Sequence, residues 1–182
     1  ASCGFDWLRI DCEHGPLEIR DVIAILQAVG GRVACGVRVP SGDEVSIKKV
    51  LDVGAAGIIV PQVNTAKQAR DVVRYSRYAP QGQRGVGIAR AHQYGLEFNE
   101  YLQAANDSIA VIVQAEHIEA VNNIEQIVDV DGIDAVYLGP YDLSASLGRM
   151  GQINDAAVVA AIHRVTRNCS SAGMPLGSFG VD

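Results

Sequence analysis

Residues 5–16 read Phe5-Asp6-Trp7-Leu8-Arg9-Ile10-Asp11-Cys12-Glu13-His14-Gly15-Pro16. The first seven form a short, largely apolar, strand-like run. The next five make a polar, acidic turn. An open dinucleotide-binding sheet needs G-x-G-x-x-G at this place, so that backbone N–H groups meet a pyrophosphate. An acidic turn is unsuited to that ligand, and no Walker-type loop occurs elsewhere in the chain.

The same kind of run recurs along the sequence. After Phe5–Asp11 come Val33–Arg38, Gly57–Pro61, Ile109–Gln114, Ala135–Gly139 and Leu176–Val181. Helical candidates lie between them: Leu17–Val29, Glu44–Val53, Thr65–Tyr75, Glu97–Ala105, Ile118–Val128 and Asp155–Ala172. In Val45–Val53, Ile47, Val50 and Leu51 fall on a different arc from Val45, Lys48, Lys49 and Asp52, which is helical spacing with an apolar face. Six strand–helix alternations predict an α/β fold with a parallel sheet. The nearly continuous apolar strands predict burial on both faces. A (β/α)8 barrel and an open doubly wound sheet both fit. The barrel needs eight strands and usually about 250 residues. The 182 residues are therefore expected to form one domain, residues 1–182, that is an internal part of a longer protein.

Composition narrows the function classes. Hydrophobic residues make up 48% of the chain, enough for a sizeable core, and Lys+Arg 15 against Asp+Glu 21 leaves a net charge of −6. An acidic chain without a basic run does not read as a nucleic-acid binder. No apolar stretch approaches the ~20 residues of a membrane span, and none has the basic head and apolar middle of a signal peptide. Cys3, Cys12, Cys35 and Cys169 form no CxxC pair, so a reducing, cytosolic setting is expected.

The strand ends carry most of the polar chemistry: Asp11, Glu13 and His14; Arg38; Gln62; Gln114 and Glu116; Asp142 after Gly139-Pro140. In a barrel these ends converge on the face where active sites are built. Glu116 and Asp142 stand 26 residues apart, about one strand–helix unit, which puts them on adjacent strand ends. Two carboxylates with waters make an oxygen site for Mg²⁺ or Mn²⁺. The alternatives are that Glu116 favours the positive start of the helix at Ile118 and that Asp142 caps a helix over Leu143–Gly148. Asp11 lies three residues before His14 and is placed to fix its tautomer, leaving the other nitrogen as a base; a surface histidine capping the next helix is the alternative. Arg38 reads as a fork for a substrate carboxylate or as an ion pair with Asp11 or Glu13. Arg84, in Gln83-Arg84-Gly85-Val86-Gly87, is a weak candidate for a phosphate loop within the long irregular stretch Ala79–Gly95. Lys48, Lys49 and Lys67 all fall in helices, which speaks against a Schiff-base enzyme.

The ordered set FDWLRIDCEHGP, VRVP, KKVLDVGAAGIIVPQV, QRGVG with RAHQYG, VIVQAEH and YLGPYDLS resembles the metal-dependent class II pyruvate aldolases of the 4-hydroxy-2-oxoheptanedioate and 2-dehydro-3-deoxyglucarate aldolase family, within the phosphoenolpyruvate/pyruvate barrel superfamily. The resemblance covers almost the whole chain. It implies a (β/α)8 barrel, here lacking the first strand and the last strand–helix unit, and a lyase that splits a 4-hydroxy-2-oxo acid into pyruvate and an aldehyde. It implies a divalent cation (Mg²⁺, Mn²⁺ or Co²⁺) on Glu116 and Asp142. His14, paired with Asp11, is implied as the proton carrier, and Arg38 as the pyruvate-binding arginine. Gln114, Gly139 and Pro140 would line the pyruvate pocket, and Asp52 would look toward a neighbouring subunit's site in a homotrimer or homohexamer. The pattern departs from the family at His117, where a small hydroxyl residue is frequent, and at Ser41-Gly42, where an aromatic is frequent. The runner-up readings are a CoA-thioester lyase of the citramalyl-CoA type and an inactive barrel fragment with a role in assembly.

Overall fold

The structure, a computed structural model, describes residues 3–179. The chain runs β1 (Trp7–Asp11), α1 (Ile19–Val29), β2 (Ala34–Arg38), α2 (Glu44–Asp52), β3 (Gly57–Val60), α3 (Ala66–Ser76), a 3₁₀ segment (Arg90–Gly95), α4 (Phe98–Ser108), β4 (Ala110–Ala115), α5 (Ile118–Asn122), α6 (Ile124–Val128), β5 (Ala135–Leu138), α7 (Pro140–Ser146), α8 (Ala156–Ala172) and β6 (Leu176–Ser178). All six strands pair in parallel, in sequence order. The last predicted run extended to Val181, and Gly180–Asp182 lie outside the described residues.

The helices start where their sequences provide caps. The Asp43 carboxylate accepts from the N–H groups of Val45 and Ser46 at the head of α2. Thr65 and Gln68 form a capping box on α3, and Asp155 caps α8. The α2 arc predicted from spacing, Ile47, Val50 and Leu51, is buried. The predicted helix Ile118–Val128 is instead two short helices broken at Asn123, whose Nδ2 donates to the Asn64 carbonyl of the β3–α3 loop. Asp142 is not the cap of its helix: Gly139 is the cap, Pro140 takes the first position and Asp142 sits in the first turn.

The sheet is curled. In a flat sheet β1 and β5 would stand about 19 Å apart, yet Arg9 Nη1 donates to Tyr137 Oη at 3.0 Å. Along each strand alternate residues face the helices. Ile10, Cys35, Val37, Ile58, Val60, Val111, Val113, Val136 and Leu138 form that layer and are buried. The expectation of burial on both faces is corrected for every strand but β3, the one strand whose residues are all buried. The concave face carries small residues (Ala34, Gly36, Ala110, Ala135) beside large polar or aromatic ones (Arg9, Tyr137, Trp7), and Trp7 keeps 44% of its surface exposed.

Gly57 shows how tightly β3 and β4 are drawn together. A Cβ there would lie 2.7 Å from the Ala110 carbonyl oxygen and 2.8 Å from the Ala110 Cβ. Gly57→Ala is expected to destabilise the fold by roughly 1–3 kcal/mol, the usual range for overpacking against backbone, read as a lowered urea midpoint with an unchanged m-value.

Candidate active site

The C-terminal ends of β1, β2, β4 and β5 surround one cavity of about 240 Å³. It is lined by Arg9, Asp11, His14, Arg38, Gln114, Tyr137, Gly139, Pro140, Tyr141, Asp142 and Phe179. A wider groove of about 650 Å³ between α3 and α6 carries Arg70, Arg74 and Asp131 but no strand-end residue. The chemistry predicted from sequence thus gathers at one rim. Glu116 and Asp142 follow the adjacent strands β4 and β5, as their spacing predicted.

Asp11 and Arg38 are register partners on β1 and β2. Arg38 Nε donates to Asp11 Oδ1 at 2.9 Å, and Nη2 donates to Oδ2. Nη1 faces Glu13 Oε2 at 2.9 Å. The fork expected to clamp a substrate carboxylate is therefore taken up by the protein's own carboxylates, the ion-pair alternative. The reason is proximity in register: a guanidinium with 8% of its side chain exposed needs neutralising partners within the fold.

The same hydrogen bonds correct the Asp11–His14 pairing. Asp11 Oδ1 accepts from the backbone N–H groups of Glu13 (3.0 Å) and His14 (3.3 Å), so it sets the turn and does not touch the imidazole. The His14 ring is 65% exposed, and its Nε2 lies 3.8 Å from Glu13 Oε2. Burial by itself would raise the Asp11 pKa, but the hydrogen bonds from Arg38, Glu13 and His14 outweigh it and lower the carboxyl from 3.8 to about 2. Burial pushes Glu13 the other way, above the ordinary carboxylate value, against the opposing pull of Arg38 and His14.

Glu116 is 1% exposed. The backbone N–H of Gln62 donates to its Oε1 at 2.9 Å, and Gln114 Nε2 donates to Oε2. Gln62 presents that N–H from a left-handed backbone, φ 56°, which a non-glycine residue adopts only under constraint. Gly139 makes room on the other side: a Cβ there would sit 2.7 Å from Glu116 Oε2. Burial raises the Glu116 pKa; the Gln62 and Gln114 hydrogen bonds oppose this, and the charges of Glu13 and Asp142 add to it.

This donor set fits a hard divalent cation. It offers only oxygens, its carboxylates repel one another, and Gln114 Oε1 beside them is buried without a hydrogen-bond partner. Among the described residues no three His, Cys, Asp or Glu side chains stand close enough to cage an ion by themselves. Two carboxylates completed by water and substrate oxygens is the arrangement Mg²⁺-type ions take.

Two candidates fall outside the rim. Asp52 ends α2, just before the start of β3, and so lies toward the opposite end of the sheet. It accepts from Arg84 Nη2 at 2.8 Å. Arg84, with its side chain fully buried, sits over the Tyr78 ring at 4.5 Å and within 3.3 Å of Tyr101 Oη. The glycine-flanked arginine is thus spent inside the fold and makes no phosphate loop. His117 is the N-cap of α5, and His92 is buried edge-on against Phe98.

Sequence reading passed over Arg9, Tyr137, Tyr141 and Phe179 as cavity residues. A signal was present for the first two: each lies two residues before a rim residue on its own strand, Asp11 or Gly139, and so shares its face. The backbone turn at Gln62 left no signal in the residue type.

The profile of the HpcH/HpaI aldolase/citrate lyase family matches residues 1–182. The chain belongs to this family. Its relatives include the 4-hydroxy-2-oxovalerate aldolase of Rhodococcus jostii, 46% identical over 179 residues, 97% of this chain and 69% of that one. The 4-hydroxy-2-oxo-heptane-1,7-dioate aldolase of Salmonella arizonae is also 46% identical, over 97% of this chain and 68% of its own. The crystal structure of a HpcH/HpaI aldolase/citrate lyase family protein from Burkholderia cenocepacia superposes with a TM-score of 0.95 at 38% identity, covering 99% of this chain and 73% of that one.

The Asp11–Arg38 pair makes a pH prediction. A carboxyl whose folded pKa is lowered contributes stability above its unfolded value of 3.8, and loses it as pH falls toward about 2. Asp11→Asn should therefore lower unfolding free energy by about 2 kcal/mol at pH 7. The difference from wild type should close between about pH 4 and pH 2, as followed by denaturant titration at each pH.

Proposed function

We propose that this HpcH/HpaI family chain is an aldolase that cleaves a 4-hydroxy-2-oxo acid between C3 and C4, releasing pyruvate and an aldehyde. The carrying observation is the one cavity lined by Asp142, Arg38, Asp11 and His14, with Glu116 buried against its wall residues Gln114 and Gly139. The Rhodococcus and Salmonella relatives are named for substrates that share the 4-hydroxy-2-oxo head and differ beyond it, which supports the same head group here. The six parallel strands are read as the larger part of a (β/α)8 barrel forming one domain.

Glu116 and Asp142 would hold a divalent cation, Mg²⁺, Mn²⁺ or Co²⁺. When bound, such an ion supplies Lewis-acid stabilisation of the negative charge that C–C cleavage leaves on the pyruvate half. The chain's own residues do the rest. Arg38, kept cationic by Asp11 and Glu13, adds fixed positive charge to a poorly hydrated site, where it stabilises a developing oxyanion strongly. Gln114, Gly139 and Pro140 wall the cavity beside Glu116 and limit it to a small head group. His14, at the exposed lip, takes the proton of the C4 hydroxyl as the C3–C4 bond breaks. Asp52, held away from this rim by Arg84, is read as serving a neighbouring subunit in a homotrimer or homohexamer. No described helix is long and apolar enough to cross a membrane.

Exhaustive chelation is expected to abolish pyruvate release from 4-hydroxy-2-oxo acids, with Mn²⁺, Co²⁺ or Mg²⁺ restoring it. Full activity after chelation would overturn the cation site.

His14 provides a second test. His14→Ala should cut retro-aldol cleavage by roughly 10²–10⁴, the usual worth of a positioned acid–base group. Oxaloacetate decarboxylation forms the same enolate without needing a C4 hydroxyl proton, so it should fall far less in that variant. A parallel fall in both reactions, with folding intact, would assign His14 to enolate formation instead.

A further inference from the structure

The Asp11 carboxylate is engaged by the turn and by Arg38. An ionised carboxylate offers roughly four acceptor positions. Asp11 already receives hydrogen bonds from Glu13 N, His14 N, Arg38 Nε and Arg38 Nη2. Three of these fall on Oδ1 and one on Oδ2, none comes from the imidazole, and the ring of His14 is turned toward Glu13.

Glu13 has the opposite condition. Its Oε2 is buried and makes no hydrogen bond. The 2.9 Å contact with Arg38 Nη1 is an ion pair without hydrogen-bond alignment. On its other side, the same oxygen lies 3.8 Å from His14 Nε2. That gap is too long for a hydrogen bond. A small rotation of an exposed ring closes it, and such contacts commonly tighten only when substrate binds.

We infer that Glu13, not Asp11, is the positioning residue for His14: its Oε2 accepts a hydrogen bond from the imidazole Nε2–H and leaves Nδ1 to face the substrate. Nδ1 then accepts the C4 hydroxyl proton, and the imidazolium so formed stays opposite the Glu13 carboxylate. Asp11 serves Arg38 and the turn. This assignment rests on the aldolase reading for its kinetic consequence, but its geometry does not.

The test pairs Glu13→Gln with Asp11→Asn in the full chain, each alone and combined with His14→Ala. The ¹⁵N resonances of the His14 ring, identified by their loss in His14→Ala, should shift more in Glu13→Gln than in Asp11→Asn, which reaches the ring only through the turn. For aldol cleavage, Glu13→Gln should lower kcat roughly 10-fold or more, the scale of a misplaced catalytic group, with little change in KM. That loss should shrink below about twofold once His14 is already alanine, whereas the Asp11→Asn loss should persist there. Glu13→Asp, which keeps a carboxylate, should recover part of the rate. Ring resonances that move as far with Asp11→Asn as with Glu13→Gln, or farther, would overturn the inference. So would a Glu13→Gln loss undiminished in the His14→Ala background, or no loss at all. If wild-type protein cleaves no 4-hydroxy-2-oxo acid, the aldolase reading fails, while the resonance shifts still decide which carboxylate holds the ring.

Discussion

Asp11 Oδ1 accepts three hydrogen bonds, two from the backbone of the turn that follows β1 and one from the guanidinium at the end of β2. That one atom joins the first two strands at the rim, fixes where Glu13 and His14 emerge, and keeps Arg38 in place with its side chain 8% exposed. The turn around it is tight: a Cβ on Gly15 would sit 2.4 Å from the Asp11 carbonyl oxygen. Protonating or removing the carboxylate would release three constraints together. The low pKa of about 2 means that the link stays ionised at any pH near neutrality.

The rest of the site follows from the two-residue period of a strand. The residues of β4 that face the helices, Val111, Val113 and Ala115, are buried core. Ile112 and Gln114 alternate with them on the other face, and Glu116 continues that series just past the strand end. Burying Glu116 is costly unless its oxygens are satisfied. The fold meets that demand from both neighbours, with the Gln62 N–H beyond β3 and the open space at Gly139 beyond β5. A strained backbone at Gln62 is the kind of local penalty that a surrounding structure sustains at a functional site.

What the sequence made legible was the chain-level pattern. The strand–helix alternation, the apolar arc of α2 and the gathering of polar residues at strand ends all follow from periodicity, which residue types report directly. What it hid was partner choice. An i, i+3 spacing between Asp11 and His14 placed them near each other but did not say where either side chain pointed. The Asp11 carboxylate went to the charged, bidentate donor across the sheet, because such pairs are stronger than a contact with an exposed imidazole. Asp52 and Arg84, 32 residues apart, paired through a loop without regular secondary structure, which no period describes. The concave face was misjudged because Gly and Ala read as apolar while burying little surface of their own.

The distribution of exposure across the rim separates the two halves of the reaction. Arg38, Gln114 and Glu116 are all buried, so the charges proposed to act on the pyruvate half would work where water screens them least. His14, proposed here for the other half, stands at an exposed lip on a turn instead of inside the sheet. A buried, rigid head-group site tolerates little change in the group it grips, since each of its polar atoms must be paired. An exposed acid–base group makes no such demand on the size of what lies beyond the hydroxyl carbon. On the proposed reading the fold fixes the common step, stabilising negative charge on a small 2-oxo acid, and leaves choice of aldehyde to whatever surrounds the lip.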